Sequence, residues 1–81
     1  MSEDQGTTSP VALLTRGQCS YVNHFALGES VEEIAQGRDV SRATVLEMRR
    51  KIMKRLGLTS LDQFEAFAQR YGDEAWERTY Q

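Results

Sequence analysis

Cys19 and His24 are the one thiol and the one imidazole of an 81-residue chain, and a thiol activated by an imidazole would be a nucleophile. Their spacing argues against it. Five residues apart on one helix, they miss the i, i+4 offset that puts two side chains on one face. No acid in helical register is placed to orient the ring, so Cys19 reads as a small core or surface thiol. A single cysteine closes no intramolecular disulfide, and with one histidine it makes no metal-ligand set. Glu29, Glu32 and Glu33 gather at the start of a short helix, where the helix dipole favours carboxylates without any metal or catalytic duty. The expectation is no enzyme, no metal and no cofactor.

The second chemical resource is charge, and its distribution is uneven. Residues 1–37 hold one basic and five acidic side chains, net −4. Residues 38–58 hold Arg38, Arg42, Arg49, Arg50, Lys51, Lys54 and Arg55 against Asp39 and Glu47, net +5. Residues 59–81 are net −3, which leaves −2 for the chain. A basic segment on an acidic body attracts phosphate while its flanks repel it, which orients the approach. The competing reading is a solvated helix face rich in arginine.

The elements that carry these side chains are helices. A hydrophobic content of 40 % in so short a chain leaves room for one core, with about 60–65 % of the unfolded surface buried. No apolar run approaches the roughly 20 residues needed to cross a bilayer, and no cleavable apolar segment follows Met1. A cytoplasmic chain with no membrane partner is expected. Residues 1–12, polar and without apolar period at their start, read as a flexible leader. Thr15 with Gln18 fits a capping box opening a helix over residues 16–27, which Gly28 stops. Ser30 with Glu33 is a second box, opening a two-turn helix that Gly37 ends. Ser41 caps a third helix over residues 42–56, where Val45, Met48 or Arg49, Ile52, Met53 and Leu56 form an apolar stripe and Gly57 ends it. Arg42, Leu46, Glu47, Arg50, Lys51 and Lys54 point partly or wholly outward from it, over about 22 Å of helix. Thr59 or Ser60 caps a fourth helix through Leu61, Phe64, Phe67, Ala68 and Tyr71 to Gly72. The expected domain spans residues 13–72, with an acidic aromatic tail over 73–81 that carries Trp76 and Tyr80. The fold class is all-α, a compact four-helix domain.

Two short helices joined by a tight turn, the second basic on its exposed face, make a helix-turn-helix, with residues 31–37 supporting and 42–56 reading DNA. The stretch from Leu14 to Phe67 resembles the four-helix DNA-binding domain of the LuxR/GerE family of bacterial transcription regulators, here in a free-standing single-domain form. The matching residues run without gaps: Leu14-Thr15, Gly28, Glu33-Ile34-Ala35, Val40-Ser41, Thr44-Val45, Ile52 and Arg55-Leu56-Gly57-Leu58. The resemblance implies that Leu46, Glu47 and Arg50 lie nearest the bases, with Arg42, Arg49, Lys51 and Lys54 available to phosphates. Arg50 is the leading candidate for a base-edge contact, since guanidinium pairs bidentately with guanine O6 and N7. Glu47 reads two ways, as an acceptor from cytosine N4 or as a surface carboxylate paired with Arg50 or Lys51.

The chain also departs from the family. Leu46 and Met48 stand where Lys and His are usual, Gly17 and Gln18 replace an Arg-Glu pair, and Arg38 replaces a turn-packing Leu. Leu46 suits a thymine methyl or a protein contact. The stem of Arg38 is expected to pack, with its head reaching solvent, Asp39 or a phosphate. His24 falls on an apolar core position of the family and is expected partly buried beside the third helix.

Helix 4 is the family's usual dimer contact. Leu61 and Phe64 are read as core, and Phe67, Tyr71 and Trp76 as dimer or partner surface, the competing reading being that Phe67 closes the core with them while Tyr71 and Trp76 cover its end. A homodimer would set two reading helices about 34 Å apart on double-stranded DNA, with an inverted repeat as its natural target. The function expected is sequence-specific DNA binding in transcription regulation. The rival is an interaction protein, a cofactor or antagonist of another regulator or of RNA polymerase built on the same fold.

Overall fold

Each helix starts where a hydroxyl takes up an orphan backbone N–H. In the computed structural model, which describes residues 9–79, the helices are α1 (Arg16–Ala26), α2 (Val31–Arg38), α3 (Arg42–Leu56) and α4 (Leu61–Thr79), preceded by a 3-10 turn at Pro10–Leu13. Thr15 Oγ1 accepts from the Gln18 N–H at 3.0 Å, while Gln18 Oε1 accepts from the Thr15 N–H at 3.0 Å. Ser30 and Glu33 make the same reciprocal pair at 3.0 and 2.7 Å. Ser41 Oγ accepts from the Thr44 N–H, and Ser60 Oγ from the Gln63 N–H. No strand occurs among the described residues, and the fold is all-α.

Two boundaries differ from expectation. α2 runs past Gly37 and ends at Asp39, a non-glycine residue in the left-handed region at φ 58°, a conformation that Asp tolerates better than most. α4 does not stop at Gly72 and continues to Thr79, so residues 73–79 are helix rather than tail; Tyr80 lies outside the described residues. The reason is packing. Gly72 is buried against α1, where an added Cβ would come within 2.5 Å of the Ala26 Cβ. One turn on, Ala75 is fully buried. Burial of this face against α1 outweighs the roughly 1 kcal/mol that glycine costs a helix.

The core is formed by Val11, Val22, Ile34, Val45, Ile52 and Phe64, with Phe25 set edge-on to Phe64 at 5.1 Å. α1 packs along α4, and α2 packs on α3. Part of the expected leader belongs to this core. Ser9 caps the 3-10 turn, Pro10 presets its backbone, and Val11 is 0 % exposed against α3 and α4. Residues 1–8 of that leader lie outside the described residues. Leu61, expected in the core, is half-exposed at the start of α4, while Phe67 takes a buried place instead. Among the described residues no helix is long and apolar enough to cross a membrane.

Candidate nucleic-acid interface

The joint between α2 and α3 is three residues, 39–41, and is closed by backbone bonds. The Val40 N–H donates to the Ala35 carbonyl at 3.0 Å and the Asp39 N–H to the Gln36 carbonyl at 3.2 Å. The left-handed Asp39 makes that reversal, the same pairing by which glycine closes other helix ends. Across the joint, Arg42 Nε donates to Glu32 Oε2 at 2.6 Å, tying the first residue of α3 to the first turn of α2. That hydrogen bond holds the Glu32 carboxyl below its ordinary range.

Arg38 corrects its expectation. Its guanidinium turns inward over the Tyr21 ring, 4.0 Å from the centroid, and Nη2 donates to Ser20 Oγ. Its Nε is buried with no hydrogen-bond partner in the described structure. A ring face and a hydroxyl on α1 accept the head that solvent, Asp39 or a phosphate was expected to take.

α3 sorts the predicted contact residues into three groups. Glu47, Arg50, Lys51 and Lys54 are exposed and recur at helical intervals on one outward face. Arg42 is exposed at the N-terminal end of the helix and engaged with Glu32. Leu46 and Arg49 are only partly exposed, and Arg49 faces α1, its guanidinium 5.7 Å over Phe25. On the outward face Arg50 and Glu47 form a two-point ion pair, Nε to Oε1 at 3.1 Å and Nη2 to Oε2 at 2.6 Å. This hydrogen-bonded pairing lowers the Glu47 carboxyl and raises the Arg50 guanidinium from their ordinary values. Among the described residues Lys51 and Lys54 take part in no ion pair.

Two residues join the site that the spacing argument left out. Arg55 and Gln18 line a shallow depression together with Lys51 and Lys54. Arg55 is anchored there by Nε donating to the Leu13 carbonyl at 3.0 Å. Its place four residues after Lys51 was the available signal; nothing local to Gln18 marks it, because its approach to α3 depends on how α1 packs.

The remaining chemistry-bearing residues are structural. Cys19 is buried, with Sγ 3.9 Å from the Val11 carbonyl, and burial pushes its thiol pKa up. His24 meets an acid after all: Nδ1 lies 2.9 Å from Glu29 Oε1 in the loop beyond α1. It is partly buried and lines a surface depression with Glu33 and Gln36 of α2. Among the described residues no three His, Cys, Asp or Glu side chains gather as a metal site.

On α4 the expected interface splits. Phe67 is 9 % exposed and belongs to the core, its ring 4.9 Å from that of Tyr71. Tyr71 is partly buried, and Trp76 is 49 % exposed. The i, i+4 spacing put Phe67 and Tyr71 on one helix, whereas Trp76 was expected in the tail and joins them only because α4 continues past Gly72. Comparison with protein-family models, with curated proteins and with solved structures found no match.

Proposed function

We propose that this chain is a sequence-specific DNA-binding transcription regulator of the LuxR/GerE kind, cytoplasmic, that lays the outward face of α3 in the major groove. The observation that carries the reading is the concentration of cations on that face: Arg50, Lys51 and Lys54 are exposed, with Arg55 beside them and Arg42 at the entry end. A helix of 15 residues extends about 22 Å, long enough to span a groove about 12 Å wide. Exposed acidic side chains flank α3, Asp62, Glu65, Asp73 and Glu77 on α4 and Glu32 and Glu33 on α2, with Glu47 the one carboxylate on α3 itself. That separation favours one orientation on a polyanion. α2 and α3 serve as a helix-turn-helix, with α2 bracing α3 through Glu32 and Arg42. Pairing of two copies would present two α3 helices to an inverted repeat.

A second reading is favoured by a different observation. Trp76 is a half-exposed tryptophan on α4, a residue type enriched where proteins meet. On that reading the chain is a cofactor or antagonist docking another regulator or RNA polymerase. Selection of the whole chain against a randomised duplex pool at near-physiological salt separates the two. Enrichment of a defined sequence supports the DNA reader, and an inverted repeat supports its dimer; a folded chain that enriches nothing overturns the DNA reading in favour of the protein-binding one.

A further inference from the structure

Arg50 carries five N–H donors in a planar fork, and Glu47 uses only one edge of it. The Nε and Nη2 contacts to Glu47 are side-on. The two Nη groups at the far end of the fork keep three N–H donors, and two of these lie parallel along the end-on edge. That edge has the spacing that matches guanine O6 and N7. Both residues are exposed, with side chains 64 % and 48 % accessible for Arg50 and Glu47. Both lie on the outward face of α3, one helical turn apart.

The geometry points to Glu47 as a positioning residue for Arg50: the carboxylate braces the side-on edge of the guanidinium so that its end-on edge is held out to a guanine in the major groove. This rests on the DNA-binding reading. Glu47 then touches no base itself. Its charge has a second effect, because a carboxylate at the groove opposes phosphate and cancels the long-range pull of Arg50. The pair is therefore nearly silent toward random DNA and acts mainly in discrimination. An unbraced arginine would behave in the opposite way, as a mobile cation binding any phosphate within reach.

The test uses the whole chain and its selected duplex, with the Arg50-dependent base pair replaced in turn by the other three, in competition at fixed salt. The wild-type chain is expected to prefer guanine by about tenfold, and R50A to lose that preference. E47A is expected to lose most of it while binding random duplex more tightly, two shifts of opposite sign that a purely structural role would not produce. E47Q, which keeps one acceptor oxygen and no charge, should fall between wild type and E47A in discrimination. E47A/R50A should discriminate no less than R50A alone, since the brace has nothing left to hold. Wild-type preference retained or increased in E47A overturns the inference, as does a selected site with no base whose preference R50A relaxes; either leaves DNA binding standing. A wild-type chain that binds no duplex overturns the DNA reading and this inference together.

Discussion

Lys54 and Arg50 lie one turn apart on the same face of α3, with different work in the proposed interface. Lys54 is a point charge on a flexible stem with no ion pair among the described residues, suited to phosphate and indifferent to sequence. Lys54→Ala should weaken specific and random duplexes alike and reduce the slope of log affinity against log salt by about 1, read by fluorescence anisotropy over a salt series. An unchanged slope would remove Lys54 from the interface. Glu32 and Glu47 make a second prediction. Hydrogen bonds from Arg42 and Arg50 hold both carboxyls below their ordinary range. In the unfolded chain they return to that range, so in the window between the two values the unfolded state binds more protons and stability rises with pH. The contribution is present at neutral pH and is lost as pH falls through the folded-state values, on the acid side of the ordinary carboxylate range. Melting temperatures followed from about pH 6 to pH 3 should fall less steeply in R42A/R50A than in the wild-type chain; parallel curves would mean that the two pairs do nothing for folding. Arg38 shows what a residue's type leaves unsaid. Its length and charge fit a stem that packs under a solvated head, and only the Tyr21 face and Ser20 hydroxyl on α1 turn that head inward.

Helix starts are written locally, and helix lengths are not. Thr15, Ser30, Ser41 and Ser60 each satisfy an N–H within four residues of chain, so side-chain type and offset suffice to find them. Ser30→Ala should cost about 1 kcal/mol in urea denaturation, and no loss would mean that α2 is held by packing alone. Gly72 is the contrary case. A glycine after a periodic run reads as a stop, but here its missing side chain is what lets α4 approach Ala26, 46 positions earlier in the chain. Asn23 Nδ2 donates to the Gly72 carbonyl at 3.2 Å in the same crossing. Gly72→Ala gains about 1 kcal/mol of helix propensity and forces two backbone-borne methyl groups together, for a net loss of roughly 1–3 kcal/mol. Ala26→Gly should restore much of that loss when combined with G72A, as measured by chemical denaturation. A stable G72A single variant would mean that the helices separate at no cost. Phe67 is a similar case, which its spacing left free to be surface and which the tertiary packing buries.

At the scale of the molecule the cations of α3 and the carboxylates of α4 are held on different elements by one shared core. Phe64, Phe67 and Ala75 are buried on α4, Phe64 against Phe25 of α1, while Trp76 stays half-exposed. Phe67→Glu should therefore unfold the chain rather than split a dimer, seen as loss of helical circular dichroism. Trp76→Glu should keep the helical signal, and it should shift sedimentation from dimer to monomer if α4 is the pairing element; a dimer that persists places the interface elsewhere. The basic face of α3 was legible from charge and periodicity, because both are properties of one helix. The depression of Gln18, Lys51, Lys54 and Arg55 was not, since it exists only where α1 meets α3. On the proposed function, the outward face of α3 is a DNA surface. Its most direct test is a residue-resolved titration of the isotopically labelled whole chain with a duplex bearing its selected site, following backbone amide NMR shifts. The largest changes should fall on α3 from Arg42 to Lys54, with α4 little affected; changes centred on α4 around Trp76, or none anywhere, would rule that surface out.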